Sequence, residues 1–70
     1  MPERLLRLPR VLDITGLSRS RLYVLVGQGK FPEPIPIGEG SRARGWIGSE
    51  VNVWVQQQIT KAAAIRQTKH

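Results

Sequence analysis

Seventy residues make one domain, with a core of about a dozen side chains and no room for a second lobe. Eleven Lys and Arg against five Asp and Glu give a net charge of +6, which suits a polyanionic partner: duplex DNA, RNA or an anionic membrane surface. The chain has no cysteine, so a disulfide framework and a thiolate metal site are excluded, and a reducing cytoplasm is the expected setting. No run approaches the ~18 apolar residues of a membrane span, and no signal-peptide core follows Met1.

In chain order, Arg4-Leu5-Leu6-Arg7-Leu8 fits either a short strand or the lead-in to a helix. Pro9 suits a first helical turn, and Val11, Leu12 and Ile14 supply the buried side of a helix that ends at Thr15. Gly16 permits the tight turn that follows. Ser18 is a good N-cap, and Leu17 with Leu22 has the spacing of a hydrophobic staple. The second helix is expected from about Arg19 to Gln28, with Leu22, Leu25 and Val26 facing inward at i, i+3 and i+4 and with Gly27 and Gly29 ending it. Two short helices joined by a glycine turn in a basic chain make a helix-turn-helix pattern.

From Lys30 to Gly48 the helical pattern stops, because Pro32, Pro34 and Pro36 forbid it. Ile35 and Ile37 alternate, Gly38-Glu39-Gly40-Ser41 makes a turn, and Arg44-Gly45-Trp46-Ile47 reads as a returning strand. Pro36 puts the first strand at an edge. A third helix is expected to open with Ser49 as N-cap and Glu50 at the positive end of its dipole. Its stripe is Val51, Trp54, Val55, Ile59 and Ala62, with Trp54 as the largest core contributor. After Thr60 the apolar face is lost and fraying is expected. The fold class is therefore mainly α with a small β-hairpin, a winged helix-turn-helix over residues 1–60 followed by a basic C-terminal tail over 61–70.

With Leu22, Leu25 and Val26 inward, the second helix turns Arg19, Ser20, Tyr23, Val24 and Gly27 outward and leaves Arg21 on its flank. A helix that enters the major groove N-terminus first presents its first turn to base edges. Arg19 has the fork that matches guanine O6 and N7, Ser20 reaches a base or a phosphate, and Tyr23 offers a phenol or a ring edge. In the hairpin, Arg42 and Arg44 stand beside Gly38, Gly40 and Gly45, and strand alternation would send both arginines to one side. The alternative is a set of solvated charges around a turn that needs glycine only for its geometry.

Catalysis has little to work with. His70 is the single histidine, and Glu3, Asp13, Glu33, Glu39 and Glu50 show neither paired spacing nor a metal-ligand pattern, so no enzyme, metal or cofactor is expected. Trp46 and Trp54 are read as core rather than as stacking platforms, which leaves too few aromatics for a single-stranded RNA surface.

Val11 to Tyr23, Gly29-Lys30-Phe31-Pro32 with Pro34, and Gly45-Trp46 followed by Ser49-Glu50-Val51 and Trp54 together resemble the AlpA-type prophage regulators over residues 5–59. That family is related to phage excisionases and to the DNA-binding domains of MerR-type activators. The resemblance implies a winged helix-turn-helix on double-stranded DNA, acting in transcription regulation, in excisionase-like recombination or in both. It also implies a bacterial, nucleoid-associated location, with an integrase or neighbouring copies of the chain as further partners. It would put Arg19, Ser20 and Tyr23 in the recognition helix and Arg42 and Arg44 in the wing. Three departures stand out. Val24 and Gly27 replace frequent basic residues, Glu39-Gly40 lengthens the wing tip, and Ile47-Gly48 replaces a commonly polar or basic pair.

Two other classes compete. A protein-interaction adaptor would use Val24 and Val53 as apolar contacts and bind DNA weakly without regard to sequence. A basic RNA binder would prefer folded RNA over duplex DNA.

Overall fold

A computed structural model of the chain describes residues 3–40 and 42–68, in the order β1 (Leu5–Leu6), α1 (Leu8–Thr15), α2 (Arg19–Gly27), β2 (Ile35–Pro36), β3 (Arg44–Ile47) and α3 (Gly48–Thr68). The three strands form one antiparallel sheet in the order β1-β3-β2. Leu5 pairs with Ile47 and Leu6 with Trp46 on one side of β3, and Ile35 pairs with Gly45 and Pro36 with Arg44 on the other. The segment before α1 is thus a strand, and Pro36 lies on an edge where its missing N–H costs no ladder bond. The Gly48 N–H donates to the Arg4 carbonyl at 2.7 Å, which carries the β1 contact into the start of α3.

Local chemistry sets the helix ends. Pro9 occupies the first turn of α1, which starts one residue ahead of it at Leu8. Gly16 closes α1 in the left-handed region at φ 74°, with its N–H on the Leu12 carbonyl. The Thr15 hydroxyl donates to the Val11 carbonyl at 2.8 Å and accepts from the Leu17 N–H at 3.3 Å, so the turn is stitched from both sides. Ser18 Oγ then accepts from the Arg21 N–H and caps α2. At the far end, Gly29 N–H reaches the Val26 carbonyl and Lys30 N–H the Leu25 carbonyl, with Gly29 at φ 71°. That pair of bonds is a Schellman motif, and it stops α2 at Gly27.

The core is Val11, Leu22, Phe31, Trp46 and Val51, with Leu6, Leu8, Leu12, Leu17, Leu25, Val26 and Trp54 packed around it. Both α1 and α3 lie against β3. The sequence expectation for α3 needs three corrections. The helix starts at Gly48, so Ser49 is inside the first turn, and its hydroxyl donates to Glu3 instead of capping. Trp46, 1% exposed, is the largest buried side chain, whereas Trp54 is only half-buried. The inward stripe ends at Gln58, since Ile59 and Ala62 are exposed. The helix itself runs on to Thr68, beyond the point where the sequence lost its apolar face.

Candidate nucleic-acid interface

Leu22 is fully buried and Leu25 and Val26 half-buried, which fixes the face that α2 turns to solvent. Arg19, Ser20, Arg21, Tyr23, Val24 and Gly27 are all exposed, as the helical spacing anticipates. Arg19 and Ser20 occupy the first two helical positions, directly after the Ser18 cap. No acidic residue stands in that first turn, so the positive end of the helix dipole is left uncompensated. An anion approaching the N-terminus of α2 meets the dipole, Arg19, Ser20 and Arg21 together.

Tyr23 has two roles in the geometry. It is 48% exposed, yet its ring centroid lies 6.3 Å from that of Trp46 at an interplanar angle of 58°. The contact ties the outer face of α2 to β3, and hence to the hairpin. Trp46 in turn donates its indole N–H to the Pro32 carbonyl at 2.8 Å, and Trp54 donates to the Lys30 carbonyl at 2.8 Å. Phe31 sits between these anchors, edge-on to Trp54 at 4.9 Å. Two indoles therefore clamp Lys30-Phe31-Pro32, the segment that carries the chain from α2 into β2. Sequence reasoning counted the tryptophans as volume and missed this. The signal available was chemical: a buried indole N–H needs an acceptor.

On the hairpin, the Ile37 N–H donates to the Ala43 carbonyl at 2.9 Å, past the last strand pair. Gly38 and Gly40 take φ of 79° and 67°, which a glycine adopts at little cost. Ser41, expected in the turn, lies outside the described residues. Arg44 opens β3 and Arg42 precedes the strand, both exposed, so strand alternation does not set the direction of Arg42. Gly45 does not belong with the open glycines of the tip. It is buried, and a Cβ there would come within 2.6 Å of Ile37 Cδ1 and 3.2 Å of the Leu6 carbonyl oxygen. Gly48 is similar, because its Cβ would meet the Arg4 carbonyl oxygen at 3.2 Å. The glycine of the Ile47-Gly48 pair is thus explained by the close approach of Arg4, just ahead of β1.

Every described Lys and Arg is exposed. Among the described residues, no helix is long and apolar enough to cross a membrane.

This arrangement can be set beside known proteins. The model of the family described as prophage CP4-57 regulatory protein (AlpA) matches residues 4–59. The chain belongs to the AlpA family. It is also 42% identical over 57 residues to ORF88 of Enterobacteria phage P4, an uncharacterized protein. The alignment takes in 81% of this chain and 62% of that relative, so the relative extends beyond the shared part. No solved structure matches the chain. The matched residues include α1, α2 and the turn between them, the indole-clamped segment, the β2–β3 hairpin and the anchored part of α3, and they stop where α3 leaves the core.

Proposed function

We propose that this AlpA-family chain is a sequence-specific double-stranded DNA-binding regulator with a winged helix-turn-helix fold. In this account α2 enters the major groove by its N-terminus, and the β2–β3 hairpin is the wing. Arg19 reads a base edge, and Ser20 and Arg21 hold a base or adjacent phosphates. Tyr23 meets the backbone or a thymine methyl, and Arg42 and Arg44 follow the backbone beside the groove. The observation that carries this proposal is the capped N-terminus of α2, with Arg19 and Ser20 exposed on it while Tyr23 braces the same face against Trp46. Membership of a prophage regulatory family supports a role in phage gene control, and excision of a prophage is the finer reading of that role. An integrase and neighbouring copies of the chain are the partners that such a role would use, in the bacterial cytoplasm at the nucleoid.

The test is a set of binding titrations over a range of salt concentrations, with scrambled duplex and folded RNA as competitors. If four to six basic side chains meet phosphates, log K falls against log salt with a slope of roughly −4 to −5. A slope near zero refutes DNA binding. Stronger competition by folded RNA than by duplex DNA moves the assignment to RNA.

A further inference from the structure

A groove of about 630 Å³ lies between the first turns of α3 and the segment that follows α2. Phe31 and Trp54 form its apolar floor, Ile35 and Val53 its exposed walls, and Glu33 and Glu50 its acidic rim, with Lys30 the one cation among the lining residues. Glu3 adds a third carboxylate nearby by accepting a hydrogen bond from Ser49, which also lines the groove. Three of the five acidic residues of the chain thus gather here, on a protein whose net charge is +6. Such a rim repels phosphate, so the groove is no extension of a DNA surface. Val53, 56% exposed, is an apolar wall without a cover among the described residues.

The other end of α3 has the complementary chemistry. From Ile59 to Gln67 every side chain is exposed, and the sequence carries no acid after Glu50. Lys61 and Arg66 supply positive charge, while Ile59 and Ile65 are 55% and 61% exposed. The overhang makes the molecule long. Its extents are 53 × 30 × 19 Å and its radius of gyration is 14.0 Å. A compact domain of this length has a radius of gyration of about 11 Å. The nine residues of overhang extend a helix nucleated in the core, and helix propensity rather than burial holds them.

We propose that the groove receives the C-terminal helix of a second copy of this chain. It cannot receive its own, because groove and overhang are parts of one continuous helix that does not fold back on itself. In the complex, Ile59 and Ile65 of the incoming helix lie on Phe31, Trp54 and Val53, and Lys61 and Arg66 face Glu33 and Glu50. The contact is heterologous, groove to tail, so it repeats from copy to copy instead of closing. On DNA that geometry would couple regulators bound at adjacent sites. The association itself does not depend on the DNA proposal and is read without DNA.

Sedimentation of the full chain at low and high salt is the test, with Glu50→Lys, Arg66→Glu and an equimolar mixture of the two. Expected is a mass that rises with concentration, more steeply at low salt, and a dissociation constant at least about tenfold weaker in each variant alone. The mixture should recover association, since each groove then finds a tail of opposite charge. Circular dichroism checks that both variants fold. A parent chain that stays a single copy at its highest soluble concentration overturns the proposal. So does an Arg66→Glu variant that loses DNA affinity with its mass unchanged, which would assign the overhang to phosphates.

Discussion

Replacing Trp46 by Phe should cost this domain more than replacing Trp54 by Phe, although Trp54 sits on the stripe that the helix period favours. Each change shrinks the ring and deletes one N–H donor. Trp46 is 1% exposed, and its hydrogen bond to the Pro32 carbonyl is part-buried. Without the donor, that carbonyl is left poorly hydrated, at a cost of ~1–3 kcal/mol, and the void left by the smaller ring adds ~1 kcal/mol. The bond from Trp54 to the Lys30 carbonyl is exposed, so water replaces the donor and the loss is ~0.5–1.5 kcal/mol. A domain of this size holds only ~3–5 kcal/mol, and each kcal/mol moves the melting temperature by roughly 4–8 °C. The two variants should therefore melt ~10 °C apart, with Trp46→Phe the lower. Thermal unfolding followed by far-ultraviolet circular dichroism gives the comparison. Equal melting temperatures, or a lower one for Trp54→Phe, would place the centre of the core on α3 and refute the reasoning.

Gly45→Ala should destabilise the sheet by ~1–3 kcal/mol, because the added Cβ meets the Leu6 carbonyl oxygen at 3.2 Å as well as Ile37 Cδ1 at 2.6 Å, and only the second can move aside by a side-chain rotation. Shortening Ile37 to Val in the same chain should recover part of the loss in a urea melt. Ser18→Ala should cost ~1 kcal/mol by removing the cap on the Arg21 N–H, and it should weaken DNA binding only through the lost order of that turn. Arg42→Ala should reduce the salt slope of DNA binding by about one unit and leave the melt unchanged, which titration at two salt concentrations will show.

The α1–turn–α2 unit was legible in the sequence because every device that shapes it is local. Gly16, Ser18 and the Leu17–Leu22 pair act within a few residues of one another, and the bonds to Leu12 and Ser18 follow from them. The outward face of α2 was legible for the same reason, since Leu22, Leu25 and Val26 alone decide it. What was hidden is non-local. Two leucines in a basic segment become β1 only by pairing with Trp46 and Ile47, some forty residues away. Helical period marks Trp54 as inward but cannot tell how deep it goes; β3 and its neighbours bury Trp46 more completely. Glycines have the same ambiguity. Gly38 and Gly40 serve the backbone of the tip, whereas Gly45 makes room for Ile37, and only the packing separates the two uses.

That the exposed first turn of α2 reads base sequence while the hairpin holds the backbone is tested most directly by one paired titration. A DNA site is first selected from genomic fragments by binding to the parent chain, and Arg19→Ala is then measured on that selected site and on a scrambled duplex, beside the parent chain. Expected are a loss of ~1–3 kcal/mol on the selected site, relaxed preference at one base position, and a much smaller loss on the scrambled duplex. An equal loss on both duplexes would contradict base reading and make Arg19 a phosphate contact. If Arg42→Ala at the same time erased the preference, the hairpin would be the reader.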